Sequence, residues 1–339
     1  MILAVIYLGS KLPKYVSKNL EYLNSTFTED DIFFISDSEK SLAKASKLGV
    51  KTWLAPNPEV KWEEVRGSLS HSLEFRDGFW FKTLARIFVL DAFMKSNPDS
   101  PCLQIEADVF LFPNFPLSKF RELDPDIAFP MESSQRGIAS LLFLKNHKIS
   151  ESLVKMAFEE IKINSQVTDM TLLGQVAHSN AFKFRPLPTL PSQMLFALNH
   201  HEAIELICNP SFDYSGVFDG ISVGQYLLGI DPRNSRGKLI LHRYQHSHAV
   251  NPAKLWMDLD ENDNLILKSE KVKVNVYNLH NHAKDLRLYN ASTRRTLLLK
   301  RITSSKKGEQ KEFLLRIFTG VFIDSIKRRF NRGIRRIKI

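Results

Sequence analysis

Two carboxylates one residue apart, Glu106 and Asp108, stand where an apolar run ends. Cys102, Leu103 and Ile105 lead up to them, Val109–Phe112 follows, and Pro113 stops the run. The pattern predicts a buried strand over Leu103–Val109. On a strand, positions i and i+2 face one side, so the two acids are expected to converge on one point. Paired hard oxygens at a strand end suit Mg²⁺ or Mn²⁺, above all where a diphosphate completes the shell. The plain alternative is a solvated acidic strand end.

Further candidate ligands lie late in the chain. His280 and His282 follow a β-like segment, Val272–Tyr277, and Lys284 stands two residues on. A neutral imidazole beside carboxylates is a good Mn²⁺ ligand, and the neighbouring lysine suits a diphosphate. His242, His246 and His248 form a second cluster, with nothing acidic beside it, and read as surface or packed residues. Lys82 and Arg86 are four apart on a strongly helical stretch, Phe79–Lys95, and so share a face. That helix leads into the acidic strand, so the pair could face phosphate. A solvated basic edge is the alternative.

These residues need a scaffold, and the first fifty-odd residues predict one. Ile2–Leu8 is an apolar run closed by Gly9-Ser10. A helix follows Pro13, with Tyr15, Val16, Leu20 and Leu23 on its apolar face. Ile32–Ile35 is a second strand ending at Ser36-Asp37-Ser38, a capped helix runs to Leu48, and Val50–Leu54 is a third strand. The β-α-β-α-β order predicts a mixed, mainly parallel sheet flanked by helices. Such sheets bind ligands at their strands' carboxyl ends, which here are Gly9, Asp37 and Glu106 to Asp108. Neither GxGxxG nor GxxxxGK[ST] occurs, which disfavours dinucleotide-binding and P-loop enzymes. Further on, residues 57–77 read as an irregular loop and RGIASLLFL, Arg136–Leu144, as one strand.

The chain has 339 residues, a net charge of +10 and two cysteines, Cys102 and Cys208, in apolar contexts. Free buried thiols, together with an N-terminus that lacks a basic signal-peptide region, predict a cytoplasmic location. The charge is concentrated. From Lys300 to Ile339 there are thirteen Lys or Arg against three acids, so residues 1–299 are neutral. A nucleic-acid-binding catalytic domain is therefore not expected. In residues 309–339, Phe313, Leu314, Ile317, Phe318, Val321, Phe322 and Ile326 recur at helical spacing among Arg and Lys. This predicts a basic amphipathic tail on an anionic membrane surface, at the inner face of the cell membrane.

The order of these features resembles the GT-A glycosyltransferases. Their acidic triplet, usually Asp-x-Asp, stands here as Glu106-Ala107-Asp108, a departure at the first acid. FDGISVGQYLLGIDPRN, 218–234, and NLHNHAKDL, 278–286, are similar to segments of bacterial surface-polysaccharide glycosyltransferases. The resemblance covers about residues 1–290. It implies a GT-A-like α/β catalytic domain over 1–290, with 1–112 the nucleotide-binding half and 113–290 the acceptor half and metal-ligand segment. Residues 291–339 would be the membrane-associating tail. It implies transfer of a sugar from a nucleotide-sugar donor, a UDP-sugar foremost, to a growing polysaccharide or lipid-linked glycan, with Mn²⁺ or Mg²⁺. Glu106, Asp108 and His280 or His282 would hold the ion. Lys82, Arg86 and Lys284 would face the phosphates, with Gly9 and Asp37 at the donor and Asp37 touching base or ribose. An inverting enzyme needs a carboxylate base on the acceptor hydroxyl, and Asp219 is the first choice, Asp169 the second. Two other readings stand beside this one. The first is an inactive GT-A-like scaffold at the membrane. The second is a nucleotidyltransferase, which usually has a glycine-rich basic loop where this chain has only Gly9-Ser10-Lys11.

Overall fold

Strand β1 (Ile2–Ile6) is apolar and buried at every position, as a strand covered on both faces must be. The chain turns through Gly9 and enters helix α1 (Lys14–Thr26) behind Pro13, whose ring pre-sets the entry angle. Strand β2 (Asp31–Ser36) leads to α2 (Glu39–Ser46), which is N-capped by the Ser38 side chain accepting from Ser41 N–H. Strand β3 (Lys51–Leu54) completes the expected β-α-β-α-β. In this computed structural model the described residues are 1–55, 69–70, 78–199, 204–208, 214–231 and 249–306. Most of the predicted loop 57–77, the His242, His246 and His248 cluster and the tail 309–339 lie outside the described residues.

After α3 (Phe79–Lys95) come β4 (Cys102–Glu106), β5 (Val109–Leu111), α4 (Leu117–Leu123), β6 (Ile127–Ser133), β7 (Arg136–Gly137) and β8 (Leu141–Leu144). Helices α5 (His147–Ile163) and α6 (Asp169–His178) and strand β9 (Phe184–Leu187) follow. The main sheet has the order β3-β2-β1-β4-β8-β6-β7, with β9 on β6. Strands β1 to β4 run parallel. Beyond them β8 is antiparallel to both β4 and β6, and β9 is parallel to β6. The fold is thus a mixed α/β sheet whose first four strands are parallel, and apolar cores cover both faces. One core lies under α3 and α5, where Phe88 meets Phe158 edge to face at 5.0 Å. The other lies under α1.

Two strand expectations are corrected. Arg136–Leu144 is two strands: Arg136–Gly137 pairs back onto β6 past an irregularity in register, and only Leu141–Leu144 joins β4. Leu103–Val109 also breaks, because Ala107 and Asp108 form a turn between β4 and β5. Strand β5 leaves the main sheet there.

The C-terminal part adds α7 (Ile204–Cys208), β10 (Gly216–Val217), α8 (Ser222–Leu228), β11 (Trp256–Leu259), β12 (Leu265–Lys268), β13 (Lys273–Val276) and β14 (Asn278–His280). Strands β10 to β13 make a small second sheet of order β10-β13-β12-β11. Strand β14 instead pairs antiparallel with β5, His280 opposite Val109. Helix α9 (Ala291–Lys306) buries Arg294, Leu297, Leu298 and Ile302, so the beginning of the 291–339 segment is packed on the body. Among the described residues, no helix is long and apolar enough to cross a membrane.

Candidate metal centre

Parallel pairing sets Ile6 opposite Glu106, which brings Glu106 to the carboxyl edge of the sheet beside the end of β1. On the same edge Gly9 N–H donates to Asp37 Oδ1 at 2.8 Å, tying the first two strand ends together. From α3, Arg86 Nη1 reaches Glu106 Oε1 at 2.5 Å, and its Nη2 reaches Asp169 Oδ2, on the first turn of α6, at 3.3 Å. The side chains of Arg86, Glu106 and Asp169 are 13%, 17% and 6% exposed, so this is a buried trio. Burial pushes Glu106 up, but the Arg86 charge and the His280 hydrogen bond outweigh it and hold the carboxyl well below the usual range. Asp169 goes the other way: burial raises it, and Arg86 offsets only part of that.

Asp108 is carried by the turn after Glu106. Asn19 of α1 clamps that turn, its side-chain amide donating to Ala107 O and Val109 O at 3.2 and 2.9 Å. The Asn281 N–H donates to Asp108 O at 2.8 Å from the other side. The two acids therefore converge through a strand end and a tight turn, and not through strand alternation.

The third member is His280. Its Nδ1 lies 2.8 Å from Gly220 O. A carbonyl can only accept, so Nδ1 carries a proton and Nε2 points away from it. Nε2 lies 3.2 Å from Glu106 Oε2 and 3.5 Å from Asp108 Oδ1. Ligand atoms of Glu106, Asp108 and His280 all fall within 4.8 Å of one another. Asp108 also receives Lys284 Nζ, which lies 5.0 Å over the Tyr15 ring. Burial alone would lower the pKa of His280, but the hydrogen bond and charge of Glu106 raise it.

The donor set fits a divalent ion. Two carboxylates with one imidazole suit Mn²⁺ better than Mg²⁺, which prefers an all-oxygen shell. An imidazole anchored by Nδ1–H on a backbone carbonyl is the usual orientation of a metal-binding histidine.

Several predicted residues sit otherwise than expected. His282 packs its ring on His280, centroids 3.8 Å apart, and is not one of the three converging groups. Arg86 is in the site, but its guanidinium faces the carboxylates of Glu106 and Asp169, which bind it in place of a phosphate. Lys82 lies one turn earlier on α3, half-buried and outside the trio. Neither acid expected to act as base faces open space. Asp219 is 3% exposed, and its oxygens accept from Val223 N–H at 2.9 Å, Gly224 N–H at 2.7 Å and His280 N–H at 2.9 Å. Three N–H groups take three of the carboxylate's roughly four acceptor positions. Asp169 is occupied by Arg86 and by Met170 N–H at 3.0 Å.

Sequence reasoning missed the buried amides that build the centre: Asn19, Asn278 and Asn281, each 0% exposed. Their signal was available, since an amide inside an apolar helix face or strand must find partners.

No protein-family model matches the chain, and no curated protein matches it. Solved structures do. The galactosyltransferase LgtC in complex with donor and acceptor sugar analogs matches at 14% identity, over 60% of this chain and 81% of that one, TM-score 0.39. The PaToxG glycosyltransferase matches at 12% identity, over 52% and 68%, TM-score 0.35. The chain is similar to solved glycosyltransferase structures. A cytidylyltransferase from Leptospira borgpetersenii matches at 11% identity, over 54% and 73%, TM-score 0.33.

Proposed function

We propose that the chain is a metal-dependent glycosyltransferase acting on a nucleotide-sugar donor, a UDP-sugar foremost. The observation that carries this is the convergence of Glu106 Oε2, Asp108 Oδ1 and His280 Nε2 at the carboxyl edge of the parallel strands. Ligands of parallel α/β sheets bind at that edge. Glu106, Asp108 and His280 would hold Mn²⁺ or Mg²⁺, which when bound neutralises charge building on a departing diphosphate. Arg86 fixes one oxygen of Glu106 and leaves the other for the ion. Lys284, which pairs with Asp108, would face the diphosphate. Gly9 and Asp37, joined by a hydrogen bond on the same edge, would meet the nucleoside. On this reading residues 1–290 are the catalytic body. The acceptor is a growing polysaccharide or lipid-linked glycan, reached by holding residues 309–339 on anionic membrane.

Calorimetry of UDP with and without Mn²⁺, followed by a screen of UDP-sugars for sugar release, tests it. Mn²⁺-dependent UDP binding with sugar transfer or release is expected. Binding without turnover would make the chain a scaffold, and metal-independent binding would move the site elsewhere.

A further inference from the structure

Asp219 belongs to a short loop, Phe218 to Ile221, that joins β10 to α8 and runs beside β14. Four hydrogen bonds tie this loop to the strand bearing His280. The Asp219 backbone N–H donates to Asn278 Oδ1 at 3.0 Å, and the Asn278 amide donates back to Asp219 O at 2.8 Å. Asp219 Oδ2 accepts the His280 backbone N–H at 2.9 Å, and Gly220 O accepts the ring Nδ1–H at 2.8 Å. The same Oδ2 also accepts Gly224 N–H, and Oδ1 accepts Val223 N–H, so the carboxylate closes the first turn of α8 as well. Gly224 permits this: a Cβ there would stand 2.6 Å from Asp219 Oδ2 and 2.7 Å from His280 N. The loop, the helix and the strand are thus joined through one carboxylate, and both the backbone and the ring of His280 are fixed by it and its neighbour.

We infer that Asp219 is a positioning residue for the metal-binding imidazole. With Gly220 and Asn278 it sets the height and rotation of His280, so that Nε2 meets Glu106 and Asp108. This rests on the reading of Glu106, Asp108 and His280 as metal ligands. Outer partners that orient a ligating histidine are worth about 10- to 100-fold in metal affinity. Asparagine at 219 keeps the shape but replaces one accepting oxygen by a donor, which cannot receive N–H groups.

The test is a titration of the full chain with Mn²⁺ alone, followed by electron paramagnetic resonance, with thermal melting as the folding check. Asp219→Asn and Asn278→Ala should each weaken Mn²⁺ binding about 10- to 100-fold while a cooperative melt remains. Asn278→Ala leaves the carboxylate and its three donors in place, and so carries the test if Asp219→Asn does not fold. Asn146→Ala removes a side-chain cap of another helix, α5, and should lower the melt without moving Mn²⁺ affinity. Unchanged affinity in Asp219→Asn or Asn278→Ala, beside loss in His280→Ala, overturns the positioning role and leaves the metal site standing. Unchanged affinity in His280→Ala overturns both.

Discussion

Replacing Arg86 by Met strips the charge from the buried trio while keeping a straight, helix-compatible side chain. In the wild type the guanidinium stands 2.5 Å from Glu106 and 3.3 Å from Asp169. Two unit charges about 4 Å apart interact by about 4 kcal/mol at an effective dielectric of about 20. Breaking a buried pair by removing one partner costs about 3–5 kcal/mol, because the other charge stays buried. Here two acids are stranded together, so the upper part of that range is expected. At about 2–4 °C per kcal/mol, Tm should fall by roughly 10 °C. Adding Asp169→Asn to Arg86→Met should restore part of the loss, since one stranded charge is gone. Saturating Mn²⁺ should raise the melt of Arg86→Met more than that of the wild type, because the ion supplies positive charge to Glu106. Calorimetric melts of the three proteins, with and without Mn²⁺, decide the matter. A melt of Arg86→Met within about 2 °C of wild type, under 1 kcal/mol by the same conversion, would refute the reasoning.

Asp108→Ala should abolish Mn²⁺-dependent UDP binding in calorimetry while a cooperative melt remains, lowered by the loss of the Lys284 ion pair. Gly174→Ala should lower the unfolding free energy measured in urea by about 1–3 kcal/mol, as overpacking does. A Cβ there would fall on the Gln135 carbonyl, and α6, which carries Asp169, would have to move. Truncation after Thr303 should release the protein from anionic vesicles in a flotation assay, since each basic side chain near the surface contributes about 1 kcal/mol. It should leave UDP binding and the melt intact, because the buried side chains Leu297, Leu298 and Ile302 of α9 are all retained. Unfolding of the truncated chain, or no vesicle binding by the full chain, would count against the tail reading.

How far the sequence discloses the molecule depends on range. The β1-α1-β2-α2-β3 entry is legible because each element carries its own periodicity and stop signal, such as Ser38 before α2. Glu106 and Asp108 are legible as partners, but the turn that joins them is not, since Glu106-Ala107-Asp108 carries no glycine or proline to mark it. The turn exists because β5 pairs with β14, and no local signal announces a partner so distant in the chain. Asp219 looked like a reactive acid among aromatics. Its position three residues before α8 is equally that of an acid serving helix N–H groups, and burial decided between the two. Arg86 and Asp169 were each singled out, yet their pairing across α3 and α6 is a tertiary fact that neither segment contains.

The junction of β5 with β14 also governs when the centre can exist. Its two acids are made early in the chain, on the sheet that β1 to β4 begin, whereas its imidazole arrives on a strand of three residues near position 280. Until β14 docks, the acid pair lacks its imidazole partner. Once docked, that strand has only β5 as its sheet neighbour among the described residues. Short ladders of this kind open at a lower free energy than the sheet they border. An ion bound across the junction would lower the population of that opening by mass action, in proportion to its concentration over its dissociation constant. Amide exchange of Leu279 and His280 should therefore slow as Mn²⁺ is added, while that of Leu3 to Val5 in β1 stays unchanged.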